Sequence, residues 1–140
     1  MNMIMRIASL LAAIGLMFPN LVISSAAARV SASEHHMKVA LMPVGGSGVS
    51  GFVNLEQKPQ GGTHIQVHAK GLQPGGEYVS LYYANSTCTL PGDDLADYTA
   101  NSNGVATATG DADDNLDEVD SVSVRVASTL ELVACAEVHP

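Results

Sequence analysis

The stretch from Gly71 to Cys88 constrains the fold of this chain most, because it combines a turn, a strand and a cysteine. Proline and glycine at 74–76 are typical of a tight turn, since proline presets its φ angle and glycine tolerates positive φ. The following segment, Glu77–Ala84, is rich in tyrosine, valine and leucine, which favours a β-strand. The only other cysteine, Cys135, lies near the far end of the chain.

Period-two alternation recurs along the rest of the chain. In Thr63–Lys70 the residues Ile65, Val67 and Ala69 share one side, and polar residues share the other. This pattern predicts a half-buried strand with a solvated outer face, so His64 and His68 are interpreted as surface residues. The other predicted strands are Lys38–Val44, Val49–Glu56, Glu77–Ala84, a short strand near Tyr98, Gly104–Thr109, Asp120–Ala127 and Leu130–Val138.

Turn signals separate these strands. Asn103-Gly104 predicts a hairpin between the strand near Tyr98 and the one after it. A long loop is predicted from Asn85 to about Tyr98, and a solvated acidic loop from Asp111 to Asp120. Seven or eight short strands without helical periodicity predict an all-β fold: a Greek-key antiparallel β-sandwich or barrel.

Residues 1–28 have the composition of a secretory signal peptide. Arg6 precedes an apolar run from Ile7 to Met17, and small residues precede cleavage points after Ala28 or after Ala32. The run is shorter than the ~20 residues that a membrane span needs. The sequence therefore predicts a flexible arm at 29–37, a domain at 38–140, and export to a periplasmic or extracellular location.

Charge and cysteine content limit the partners. The formal net charge of −8 disfavours nucleic acid and anionic lipid, which leaves an unknown protein or surface ligand as the expected partner. Two cysteines in an exported chain are expected to pair, so a Cys88–Cys135 disulfide is predicted.

Several short segments resemble the copper/zinc superoxide dismutase family, in the order in which that family has them. They span most of residues 48–138 and are Gly48–Val53, Gly71-Leu72 with Pro74-Gly75, Gly92–Leu95, Thr99–Asn101, Asn103–Ala106 and Leu132–Cys135. The resemblance implies the same sandwich, and in that family the two cysteines at these places form a disulfide.

The resemblance does not extend to the metal ligands. The copper-binding H-V-H of the family corresponds to Ser80-Leu81-Tyr82, and its last copper histidine corresponds to about Arg125. The arginine that guides the substrate corresponds to about Leu132, and only the zinc aspartate has a counterpart, Asp93 or Asp94. Hydroxyl and guanidinium groups cannot replace imidazoles at a copper centre. The resemblance therefore implies the fold and argues against the activity.

The sequence favours an exported, non-catalytic superoxide dismutase-like module with no catalytic residues and no expected cofactor. One alternative is a Cu(II)- or Ni(II)-binding protein that uses His35 and His36 of the arm. If cleavage follows Ala32, the free amine of Ser33, two amide nitrogens and His35 make a square-planar site. A second alternative is an authentic copper/zinc superoxide dismutase with unusual ligands.

Overall fold

The structure, a computed structural model, describes residues 35–140. The predicted signal peptide and residues 29–34 of the predicted arm lie outside the described residues. The described chain is all-β with one short 3₁₀-helix, η1, and the predicted fold class is confirmed. In chain order the strands are β1 (His36–Pro43), β2 (Ser50–Gln57), β3 (Thr63–Lys70), β4 (Glu77–Tyr83), β5 (Asp93–Thr99), β6 (Ala106–Ala112), β7 (Ser121–Val126) and β8 (Leu132–Glu137), with η1 (Leu116–Glu118) between β6 and β7. Within residues 35–140 no helix is long and apolar enough to cross a bilayer.

The strands form one eight-stranded antiparallel sheet that curls into a barrel in the order β5-β4-β7-β8-β1-β2-β3-β6. β1 joins the two halves, because it pairs with β2 along most of its length and with β8 only at Met42 and Pro43. β4 and β7 each follow a connection that crosses from the β1-β2-β3-β6 half to the other half. The barrel is nearly closed, because the two edge strands β5 and β6 contact each other without pairing.

The predicted hairpin between β5 and β6 is wrong. The turn itself is present, since Gly104 N–H donates to Asn101 C=O at 3.0 Å and Gly104 has φ 74°. However, β5 pairs with β4 and β6 pairs with β3. The turn therefore connects the two edge strands of the sheet, which do not pair with each other. Just before it, Ala100 forms backbone hydrogen bonds with Gly75 and Gly76 in the turn that precedes β4.

Most strand boundaries differ from the prediction by one to three residues, and the longest difference is in β5. The loop predicted to reach about Tyr98 ends at Gly92, and β5 begins at Asp93. β6 extends to Ala112 and η1 follows it, so the predicted acidic loop is partly ordered. β1 begins at His36, two residues before the predicted start of the first strand.

The barrel interior is filled by the alternating apolar positions of both halves. Valine and alanine dominate it, and the largest fully buried aliphatic residues include Leu41, Leu55 and Ile65. The close approach of β2 to β3 requires Gly51: a Cβ there would overlap the carbonyl of His68, and its φ of 150° is unfavourable for other residues. The predicted buried side of β3, formed by Ile65, Val67 and Ala69, is confirmed.

A second buried cluster lies on the outer side of β4, β7 and β8. Val79, Leu81 and Tyr83 point outward from β4 and are covered by the loop 84–92, which places Cys88 against them. Cys88 and Cys135 form a disulfide with a Cα–Cα distance of 6.1 Å, as predicted. We call this surface the covered face.

Arg125 ties the covered face together. Its Nε–H donates to the Tyr83 hydroxyl at 2.8 Å, and its other two nitrogens donate to the carbonyls of Leu130 and Cys88, each at 2.6 Å. Leu130 and Cys88 are the two non-glycine residues with positive φ in residues 35–140. The guanidinium therefore holds two loops in backbone conformations that side chains seldom adopt.

Candidate functional site

The outer surface of β1, β2, β3 and β6 has no loop packed over it within the described residues, and we call it the open face. Register places its side chains in rows that run across the four strands. One row is His36, Glu56, His64 and Asp111; the next is Lys38, Asn54, Gln66 and Thr109; the third is Ala40, Phe52, His68 and Thr107. The face exists because these positions alternate with the apolar residues of the interior.

Phe52 is the apolar centre of the open face. Its ring stacks on His68 with centroids 4.4 Å apart, and Lys38 Nζ lies 4.2 Å from its centroid. Thr107 Oγ1 lies 3.2 Å from His68 Nδ1, which orients the imidazole. Beside the ring is a concavity of about 520 Å³ lined by Met42, Val105 and other residues, with Lys70 at its rim. The aromatic ring, the aliphatic groups and the cations together can hold a ligand that is partly apolar and partly anionic.

Asp111 forms the ion pairs of the open face. Its carboxylate accepts a hydrogen bond from His64 Nδ1 at 2.7 Å and pairs with Lys58 Nζ at 3.3 Å. The bond from His64, and then the one from Lys58, lower the pKa of this carboxyl. Asp111 thereby offsets positive charge at one end of the face, while Lys38 and Lys70 lie away from it.

Charge is segregated between the open face and the rest of the barrel. The three lysines of residues 35–140, Lys38, Lys58 and Lys70, all reach the open face, and the one arginine, Arg125, is buried on the opposite side. The open face also carries two acids, Glu56 and Asp111. The other acids of the described chain lie elsewhere: Glu77, Asp93, Asp94, Asp97, Asp113, Asp114, Asp117, Glu118, Asp120, Glu131 and Glu137.

The residues that the sequence resemblance assigned to the copper-ligand positions do not form a site that fits copper. Ser80 is buried and its hydroxyl bonds to the Tyr98 hydroxyl at 2.7 Å. Leu81 lies in the covered face and Arg125 is bonded there to carbonyl oxygens. Burial raises the pKa of Tyr82, which disfavours the phenolate that a metal would bind. Within residues 35–140 no three histidine, cysteine or acidic side chains converge as metal ligands.

The remaining candidate residues are spread over the molecule. Asp93 and Asp94 begin β5 on its exposed edge, and Leu132 begins β8 beside the covered face. His36 points to the open face opposite Glu56. His35 lies at the end of the barrel, where its carbonyl accepts the Gln57 N–H at 2.9 Å. Ser33 lies outside the described residues.

Sequence reasoning missed the central residues of the open face, Lys38 and Phe52. Alternation could have placed each on the outer side of its strand. Their contact depends on the β1–β2 register, which pairs Ala40 with Phe52 across a glycine-rich turn. That register depends on the geometry of the turn, which its glycine-rich sequence alone does not specify.

No protein-family model matches this chain, and no curated protein matches it either. The structure defines the class only as an eight-stranded, disulfide-bonded β-barrel with one covered face and one open face.

Proposed function

We propose that this protein is an exported, non-catalytic module of the superoxide dismutase-like type that binds an acidic segment of a partner protein on its open face. The observation that carries the proposal is the segregation of charge. Every lysine of the described chain reaches the open face, while most of the acids lie elsewhere. An acidic partner would be attracted to the open face and repelled by the rest of the barrel.

The chemistry of the open face favours a protein segment over an acidic polysaccharide. Sugars bind aromatic rings by stacking on an exposed ring face, but Phe52 already has His68 and Lys38 against its ring. The concavity beside Phe52 is lined mainly by aliphatic groups, among them Ala40, Met42 and Val105. A peptide that alternates acidic and aliphatic side chains matches both the lysines and this concavity.

The absence of catalysis is proposed on the chemistry of the positions that match the dismutase ligands. Redox dismutation requires a metal that cycles between two oxidation states. Ser80 and Arg125 both use their polar atoms in hydrogen bonds to the protein. The disulfide supports the proposed export, since such bonds persist in oxidising compartments.

Peptide binding tests the proposal. A fluorescein-labelled peptide of alternating glutamate and leucine should bind the purified mature protein, measured by fluorescence anisotropy at low and at physiological salt. Replacing both free lysines (K38Q/K70Q) should weaken binding about fivefold, as expected for two exposed ion pairs. The variant S86E/S128E is the matched control, because it changes the net charge equally at exposed positions away from the open face.

Two results would contradict the proposed partner. Equal binding by K38Q/K70Q and by the parent would show that the open face is not used. Binding of polygalacturonate as tight as that of the peptide would favour a polysaccharide. Separately, superoxide dismutase activity after loading with copper and zinc, above that of the free ions, would overturn the non-catalytic assignment.

A further inference from the structure

A cleft opens between β1 and β8 at one end of the barrel. The two strands pair only at Met42–Cys135 and Pro43–Ala134, and they are unpaired from there towards His36 and Glu137. The cleft at this end is a concavity of about 970 Å³, bordered by the start of β1, the loop between β2 and β3, η1 and the residues after β8, with Leu116 in its wall. It is separate from the covered face and shares only Lys58 with the open face.

Three soft or borderline donors line this cleft: the thioether of Met37 and the imidazoles of His35 and His139. Met37 is partly buried and packs against the barrel interior, whereas both histidines are exposed. The Met37 sulfur therefore lies on the inner side of the cleft. The imidazole of His35 is on the segment before β1, and that of His139 is on the segment after β8.

Hydrogen bonds orient two of these residues. His139 Nε2 lies 3.0 Å from the carbonyl oxygen of Leu116. A carbonyl can only accept, so Nε2 carries the hydrogen and Nδ1 keeps its lone pair for a ligand. The carbonyl of His35 accepts the Gln57 N–H at 2.9 Å, which fixes the backbone of that residue beside the cleft. The bond from His139 Nε2 to a carbonyl is of the kind that sets the tautomer of metal-bound histidines.

We infer that the cleft binds one cuprous ion through the Met37 sulfur, His139 Nδ1 and a ring nitrogen of His35. Thioether and imidazole together are donors that select Cu(I), while Ca²⁺ and Mg²⁺ require oxygen ligands. The thioether is essential to the inference, because no three histidine, cysteine or acidic side chains in residues 35–140 converge without it. The site differs from a Cu(II) site at a free Ser33 amine, since it needs no particular N-terminus.

Competition titration with Cu(I) tests the inference. The mature protein is titrated anaerobically with Cu(I) in ascorbate against bicinchoninate, whose cuprous complex is coloured. We expect one equivalent to bind. Met37→Leu and His139→Gln should each weaken Cu(I) binding by at least about tenfold. Met37→Leu conserves volume and should leave the fold intact.

The matched control is Met42→Leu, which removes an exposed thioether, 59% accessible, from outside the cleft. It should bind Cu(I) as the parent does. Failure of the parent to bind Cu(I), or equal binding by Met37→Leu and the parent, would overturn the inference.

Discussion

The covered face and the open face occupy opposite halves of one barrel, yet they use polar residues in opposite ways. On the covered face, Arg125 and the serines of β7 are buried and bonded to Tyr83 and to the loop 84–92. On the open face, Lys38, His64 and their neighbours remain accessible and contact mainly one another. Buried polar contacts contribute to stability and are costly to break, whereas exposed ones contribute little.

This difference separates stability from binding. A side chain that already bonds to two loops, as Arg125 does, has few donors left for a partner. A lysine that lies over a phenyl ring in solvent can exchange that contact for a partner carboxylate at small cost. We therefore expect substitutions on the covered face to change unfolding, and substitutions on the open face to change binding.

The largest expected effect is that of removing the disulfide. Cys88→Ser with Cys135→Ser should lower the free energy of unfolding by about 4 kcal/mol, since the bond closes a loop with a sequence separation of 47 residues. Urea denaturation of the oxidised parent and the double variant measures this. A loss below about 1 kcal/mol would mean that the loop 84–92 is held mainly by its hydrogen bonds.

Arg125→Met should be nearly as damaging. The methionine fills similar space but leaves the carbonyls of Cys88 and Leu130 without their donor, and we expect a loss of about 3 kcal/mol. Lys38→Met is the matched control on the open face and should cost less than about 1 kcal/mol. Similar losses in urea denaturation for both variants would contradict the distinction between the two faces.

Tyr98, which is partly buried against the barrel interior, offers a third environment in which to test polar groups. Burial raises the pKa of Tyr98 to about 12, although its bond to Ser80 acts in the opposite direction. The folded protein thus holds this proton more tightly than the unfolded chain does. Its contribution to stability should be complete below pH 10 and should be lost as pH rises from 10 towards 12.

Urea denaturation between pH 9 and pH 11.5 measures that loss, which should reach about 2 kcal/mol. Tyr98→Phe should be less stable at pH 9, because Ser80 loses its partner, but should show a flatter alkaline slope. An unchanged slope would mean that Tyr98 ionises freely and lies in a wetter environment than the structure indicates.

The sequence predicted most of the strands but not the contrast between the faces. Alternation in Thr63–Lys70 placed the inward and outward residues of β3 correctly, because each strand's pattern is local. The same alternation in Ser121–Val126 suggests a solvated outer side, yet Ser123 and Arg125 are buried there. They are buried by a loop that lies over thirty residues earlier in the chain, and no local pattern reveals such a contact.

The disulfide could be predicted from the sequence, whereas the strand pairing around one turn could not. Pairing of Cys88 with Cys135 could be predicted, because the chain has two cysteines and a predicted signal peptide. The hairpin predicted at Asn103-Gly104 failed because turn chemistry specifies a reversal of the chain and does not specify which strand pairs with which. The grouping of lysines on the open face likewise depends on register across three strand pairs.

The smallest expected effect lies in the ion pair of the open face. The hydrogen bond from His64, and then that from Lys58, lower the pKa of Asp111, so its carboxylate stabilises the fold above the usual pKa of an aspartate. That contribution is lost as pH falls through the lowered pKa of the folded state. Because Asp111 is exposed, Asp111→Asn should only slightly reduce the melting temperature at pH 6 and should match the parent at pH 2.

The control for this prediction is Asp94→Asn, which changes an exposed aspartate without an ion pair in residues 35–140. If Asp111→Asn lowered stability as much as Arg125→Met does, the open face would be a structural surface like the covered one, and its lysines could not be regarded as free for a partner.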